Sequence, residues 1–288
     1  MSVFSGIWIP LVTPFADGAV DHAALRSLVK SYAQAGVSGL VALGTTGEPA
    51  ALDAGEREAV LETVLRAADG LPVVVGLADE HVGHLHSALS RINELPVAGI
   101  LTPAPCYVRP SQAGIVRHFL DLADASAKPL VIYDIPYRTG VQMELQTLLT
   151  LAAHPRIQAI KDCAGSVEKT LALILDGRLR VLAGDDINIL STLCLGGSGA
   201  IAASAHVAPA EFVGIHQAVA DGRLAEARMR FHALAPTISA LFSEPNPGPV
   251  KAVLAGMRLT RDEVRPPMTP ASAEFRAKWR ELETRRAH

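Results

Sequence analysis

A lysine that closes an apolar strand is the most reactive arrangement in this chain. Ile157-Gln158-Ala159-Ile160 runs into Lys161, and the two-residue period of a strand puts Ile157, Ala159 and Lys161 on one face. Burying an ammonium group is costly, so the Lys161 pKa is expected to be depressed. An amine that is partly neutral attacks a carbonyl carbon and forms a Schiff base. The competing reading is a salt bridge from Lys161 to Asp162, Asp185 or Asp186 at the ends of neighbouring strands.

Schiff-base chemistry also needs a group that moves protons. Tyr133 ends the strand preceding that of Lys161, and a tyrosine hydroxyl in a hydrogen-bonded relay can serve. The chain has four tyrosines, and three of them, Tyr107, Tyr133 and Tyr137, fall at expected strand ends. A core aromatic with a polar tip is the alternative for each. Thr45 carries a hydroxyl that both donates and accepts, so it can link two phenols. Arg138 suits bidentate recognition of a carboxylate, or else a surface salt bridge. Gly44-Thr45-Thr46-Gly47 can turn its backbone N–H groups toward an anion.

These residues need a scaffold that gathers strand ends. Eight short apolar runs recur: 7–12, 39–43, 72–76, 98–101, 129–133, 157–161, 180–183 and 200–203. Each is nearly continuously apolar, as suits strands covered on both faces. Helical spacing fills the intervals, as at 23–34, 54–68, 112–126 and 166–175. Asp21, Asp53 and Ser111 stand at N-cap positions, and Pro209 stands where a helix begins. The alternation predicts an α/β fold, a (β/α)8 TIM barrel over residues 1–220. Residues 221–288 read as a C-terminal helical extension with helices over 224–232, 234–242, 249–255 and 272–285. Active sites of such barrels sit at the C-terminal strand ends, where the residues above fall.

Composition excludes several classes. Of 288 residues, 49% are hydrophobic and 19% charged, which supports a packed core and not a disordered chain. Net charge is −3 with no long basic run, so nucleic acid is not an expected partner. Cys106, Cys163 and Cys194 lack paired spacing, which favours a reducing, cytoplasmic setting. No targeting segment is read at the N-terminus, and the uncharged stretch 187–205 is broken by Gly196-Gly197-Ser198-Gly199, so no membrane span is expected. There is no dinucleotide fingerprint and no phosphate loop. His81, His84 and His86 have metal-like spacing but read better as a solvated helix start.

Taken in order, Gly44-Thr45-Thr46-Gly47-Glu48, Tyr133-x-x-Pro136-x-Arg138-Thr139-Gly140, Lys161-Asp162-x-x-Gly165, Gly184-Asp185-Asp186 and Glu244-Pro245-Asn246-Pro247-x-Pro249-Val250-Lys251 resemble the dihydrodipicolinate synthase family, within the N-acetylneuraminate lyase superfamily of class I aldolases. The resemblance runs from Gly6 to about Thr269. It implies a lyase that condenses pyruvate with L-aspartate 4-semialdehyde on the route to diaminopimelate and lysine. Lys161 would form the imine, and Tyr133 would be the general acid/base, with Thr45 and Tyr107 completing the relay. Tyr107 would reach in from a neighbouring subunit. Thr46 and the backbone at Ile201 would hold the pyruvate carboxylate, and Arg138 the carboxylate of the aldehyde. The resemblance implies a homotetramer built as a dimer of dimers, and no metal or organic cofactor.

Several positions depart from the family. Cys106 replaces an aromatic neighbour of Tyr107, and Pro49, Ala54 and Arg57 stand where small polar or histidine residues are usual. In lysine-inhibited members those positions line an allosteric site, so insensitivity to lysine is expected. Asp134 replaces a common asparagine, and Tyr137 a small residue, which leaves the aldehyde open. One alternative is a pyruvate-dependent aldolase, lyase or dehydratase acting on a keto acid or sugar acid. Arg138 argues for the synthase, since sialic acid lyases usually lack it. The other alternative is a catalytically dead barrel used for binding, against which the set Lys161, Tyr133, Thr45 and Tyr107 argues.

Overall fold

A computed structural model describes residues 3–286. The strands are β1 (Gly6–Pro10), β2 (Phe15–Ala16), β3 (Ala19–Val20), β4 (Gly39–Ala42), β5 (Val73–Gly76), β6 (Gly99–Pro103), β7 (Leu130–Asp134), β8 (Ile157–Asp162), β9 (Arg180–Ala183) and β10 (Gly199–Ile201). Eight of them form a closed barrel in the order β1-β10-β9-β8-β7-β6-β5-β4, and β2 and β3 pair as a separate antiparallel ribbon. All eight expected strands are present, and the fold is the (β/α)8 barrel with a helical extension. The ribbon was not expected from the sequence. Its two-residue strands are too short for any period to show, although Asp17-Gly18 between them is a turn signal.

The helices are α1 (His22–Gln34), α2 (Ala54–Ala67), α3 (Val82–Asn93), α4 (Gln112–Ala125), α5 (Pro136–Thr139), α6 (Leu145–Leu151), α7 (Val167–Asp176), α8 (Ile189–Cys194), α9 (Pro209–Ala220), α10 (Leu224–Leu241), α11 (Gly248–Gly256) and α12 (Ala273–Arg286). Their starts follow from local chemistry. Asp21 accepts from the Ala23 and Ala24 N–H groups, and Asp53 forms a capping box with Glu56. Ser111 accepts from Gly114 N–H, and Pro209 opens α9. The uncharged stretch after Asp186 is α8, a turn through Gly196 and then β10, as expected. No helix among the described residues is long and apolar enough to cross a membrane. Residues 224–241 form one helix where two were expected, and Pro236 lies inside it. Burial of Leu234, Thr237, Ile238 and Leu241 along one side compensates the backbone hydrogen bond that a proline cannot make.

The chain divides into two compact units. One comprises the segment ending at Gly6 together with Pro72–Ile201, and the other Ile7–Leu71 with the segment from Ala202. In the first, β5 to β10 are lined by Val73, Val75, Ile100, Val131, Ile132, Ile160 and Val181, all buried. Strands β7 and β8 are parallel with a register that pairs Tyr133 with Lys161 and Asp134 with Asp162. In the second unit, β1 pairs with β4, and Trp8, Ile9, Leu40 and Val41 are buried.

Candidate active site

The first unit holds the expected amine. The burial pattern of β8 leaves only Gln158 exposed, so Ile157, Ala159 and Lys161 share the inward face as the alternation predicts. Lys161 is 7% exposed. Its Nζ lies 4.3 Å from the centroid of the Tyr133 ring on the neighbouring strand. The two side chains also share a hydrogen bond. The nearest chain neighbour, Asp162, turns the other way: Thr170 Oγ1 donates to its Oδ2 at 2.5 Å, and Ala164 N–H to its Oδ1 at 3.0 Å. The salt bridge to Asp162 that the sequence left open is therefore not formed.

The pKa of Lys161 is shifted the other way from expectation. Burial is the largest single influence and pushes its pKa down, but Tyr133, Cys163 and Asp186 together push it up further, and the balance lies above the ordinary lysine value. The expected depression considered burial alone, whereas alternation and the strand ends surround the amine with groups that favour its proton. The amine is hydrogen-bonded to the Tyr133 side chain, and it attacks a carbonyl only in its unprotonated form.

Sequence reasoning passed over one neighbour of this amine, Cys163, and named another, Asp185, only as a possible ion-pair partner. Cys163 follows Lys161 by two residues, so it shares the same face, and burial pushes its thiol far up while Lys161 pulls it down. Asp185 accepts a hydrogen bond from that thiol; burial raises its carboxyl, and Lys161 opposes the rise. The side chains of Lys161, in β8, and of Cys163, just after it, press on Gly184. A Cβ at Gly184 would lie 2.3 Å from Cys163 Sγ and 2.9 Å from Lys161 Cγ, so only glycine fits there.

Arg138 sits on α5, a single turn after Tyr133-Asp134-Ile135. Pro136 opens the turn, and Gly140 closes it with φ of +74°. Arg138 is exposed, with Cζ 5.8 Å from the Tyr137 ring centroid. Burial raises the Tyr137 hydroxyl, and Cys163, Tyr133 and Asp185 add to the effect, which places Tyr137 beside the amine pocket. Ile201 ends β10 and is buried. Tyr107 is 91% exposed and held at φ of +68°, so its ring stands in solvent at the surface of the single chain.

Thr45 and Thr46 belong to the other unit. They begin a single 3-10 turn, Thr45–Gly47, directly after β4. The Gly47 and Glu48 N–H groups donate to the Gly44 and Thr45 carbonyls. Thr46 Oγ1 accepts from Asn246 Nδ2 at 2.8 Å, so its own proton is directed away from that amide. Asn246 lies 200 residues further on and carried no sequence signal beyond its place in a motif. Thr13 Oγ1 donates to Gly47 O, and Arg265 N–H donates to Glu48 Oε2. Lys251 supplies the remaining anchor: it is fully buried, 2.5 Å from Glu48 Oε1, with its Nζ 4.1 Å from the Phe15 ring centroid.

The histidine group is a helix start. His81 caps α3 by accepting from His84 N–H, and both rings are exposed. Among the described residues no group of three or more His, Cys, Asp or Glu is placed to hold a metal ion.

A parallel barrel with a buried lysine–tyrosine pair at adjacent strand ends defines the class: an enzyme scaffold built for carbonyl chemistry on an amine. Comparison with known proteins gives the family. The Dihydrodipicolinate synthetase family model matches residues 3–284. The 4-hydroxy-tetrahydrodipicolinate synthase of Pelobacter propionicus is 36% identical over 278 residues, 96% of each chain. Among solved structures, the chloride-inhibited dihydrodipicolinate synthase of Acinetobacter baumannii complexed with pyruvate superposes with a TM-score of 0.94 at 31% identity, covering 97% of this chain and 98% of that one. The lysine-bound enzyme of Cyanidioschyzon merolae gives 0.95 at 29% identity, covering 99% and 98%. The chain belongs to the dihydrodipicolinate synthetase family.

Proposed function

We propose that this chain is a lyase that condenses pyruvate with L-aspartate 4-semialdehyde to 4-hydroxy-tetrahydrodipicolinate. The observation that carries the reading is the buried Lys161 amine, hydrogen-bonded to Tyr133. The Tyr133 oxygen takes a proton from the Lys161 amine while its own proton passes to Thr45, the Thr45 proton to Tyr107, and the Tyr107 proton to solvent water. The freed amine adds to the pyruvate ketone, and the carbinolamine loses water to give an iminium. The positive nitrogen acidifies the methyl group, which loses a proton to form an enamine. The enamine carbon attacks the aldehyde carbon of the second substrate. That substrate's amine then displaces Lys161 by cyclising. Thr46 and the backbone at Ile201 take the pyruvate carboxylate, and Arg138 takes that of the semialdehyde.

The working form is a homotetramer, a dimer of dimers, in the cytoplasm. Support comes from Tyr107, a relay residue left in solvent by the single chain, and from exposed Val167 and Leu175 on α7. Residues 1–220 form the catalytic domain and 221–288 the helical extension in this reading. A coupled assay with pyruvate and a panel of aldehydes tests the substrate. Turnover with aspartate semialdehyde is expected; turnover only with a sugar-derived aldehyde would assign the chain to a sister aldolase.

A further inference from the structure

Behind the Lys161–Tyr133 pair lies a second, buried set of charges that the proposed reaction does not use. Strand alternation turns Asp134 and Asp162 to the opposite side of β7 and β8 from Tyr133 and Lys161. There they meet the first turn of α7. Lys169 Nζ lies 2.6 Å from Asp134 Oδ2 and donates to Met143 O at 3.0 Å, and both side chains are buried. Thr170 takes Asp162 in the same turn. Ser166 fixes the turn by accepting from Lys169 N–H. Cys163 N–H donates to Asp134 O, which ties the strand position after the two reactive residues to the same spot.

A buried ion pair is a poor source of stability, because two desolvation costs offset its attraction. Its location suggests another use. Asp134 follows Tyr133 in the chain and lies across from Asp162, the residue after Lys161. We propose that Asp134 and Lys169 are a positioning pair that keeps the charge behind the pocket balanced and so sets how readily Lys161 gives up its proton. The inference rests on the reading of Lys161 as the imine-forming amine. The groups facing Asp134 are Lys169 from α7, Asp162 from β8 and the Met143 backbone; those facing Lys161 are Tyr133, Cys163 and Asp186. The Asp134 carboxyl lies above its ordinary value, because burial raises it by more than the Lys169 amine lowers it.

The test is charge arithmetic on pyruvate trapping. The rate at which borohydride fixes pyruvate to the enzyme is followed against pH for the wild type, Asp134→Asn, Asp134→Asn/Lys169→Met and Lys169→Arg. Asp134→Asn removes the anion and leaves the Lys169 cation, so a proton leaves Lys161 more easily. The alkaline-rising limb should move to lower pH by roughly one unit, the scale of one charge acting across a strand at intermediate dielectric. The double variant is neutral again and should return the limb to the wild-type position. Lys169→Arg keeps the charge and should leave it in place. A limb that stays put in Asp134→Asn while only thermal stability falls would overturn the proposal, as would a double variant that remains shifted. A wild type that never traps pyruvate sinks instead the reading of Lys161 on which it rests.

Discussion

Glu48 and Lys251, more than two hundred positions apart in sequence, form a buried ion pair of 2.5 Å beneath the loop that carries Thr45 and Thr46. Glu48 sits at φ of 53°, a left-handed backbone that a non-glycine residue adopts only when its surroundings impose it. Burial pushes the Lys251 amine down, and Glu48 pushes it back up. The pair acts by being complete. Lys251→Met leaves a buried carboxylate without its cation and should cost about 3–5 kcal/mol in urea unfolding. Glu48→Gln/Lys251→Met should recover much of that loss. An additive double variant would show that the two residues do not act on each other.

Gly184 leaves room for the side chains of Lys161 and Cys163 at the end of the reactive strand. Gly184→Ala forces a Cβ into Cys163 Sγ and the Lys161 stem. The displaced amine should lose roughly 100-fold in kcat/KM for pyruvate, the scale of an ångström-sized misplacement. Removing the sulfur as well, in Cys163→Ala/Gly184→Ala, should restore part of the rate. Steady-state kinetics beside a circular-dichroism melt separate this from unfolding. Equal losses in the single and double variants would contradict the packing explanation.

His206 gives the protein an acid-sensitive interior. The ring is buried, Nε2 accepts from Val12 N–H at 3.1 Å, and Nδ1 lies 2.8 Å from Ala203 O. That pattern fixes the neutral tautomer with the proton on Nδ1. Burial lowers its pKa from 6.5 to about 4. Between those values the unfolded chain binds a proton that the folded chain refuses, so stability falls as pH drops through this window. The full loss is about 3 kcal/mol, complete near the lower value. Urea unfolding at neutral and mildly acidic pH should show this slope, and His206→Gln should flatten it. An unchanged slope in the variant would place the acid sensitivity elsewhere.

L-Lysine should not inhibit the enzyme at millimolar concentration. A cationic amino acid needs carboxylate and amide partners, whereas Pro49, Ala54, Arg57 and Cys106 offer a ring, a methyl, a like charge and a thiol. Burial raises the Cys106 thiol, so it presents no anion. Initial rates across a lysine titration check this, and a saturable loss of rate would refute it.

Much of the fold was legible because barrel strands are written in runs of Val, Ile, Leu and Ala that need no partner to be recognised. Caps such as Asp53 and Ser111 are equally local. The juxtaposition of Lys161 and Tyr133 followed from chain order in a parallel barrel, since successive strands are neighbours. What the sequence could not show depends on distant partners. The upward balance on Lys161 comes from side chains gathered in space, and burial alone pointed the wrong way. Asn246 and Lys251 reach the Thr45 loop only through the fold. Asp134 read as a departure from the family until Lys169 appeared opposite it.

In the proposed reaction the amine of Lys161 captures pyruvate covalently. Borohydride reduction in the presence of pyruvate, followed by intact-mass and peptide mapping, tests it most directly. One reduced pyruvate adduct per chain is expected, on Lys161, and Lys161→Ala should abolish it. Absence of any adduct, or an adduct that persists in Lys161→Ala, would contradict it.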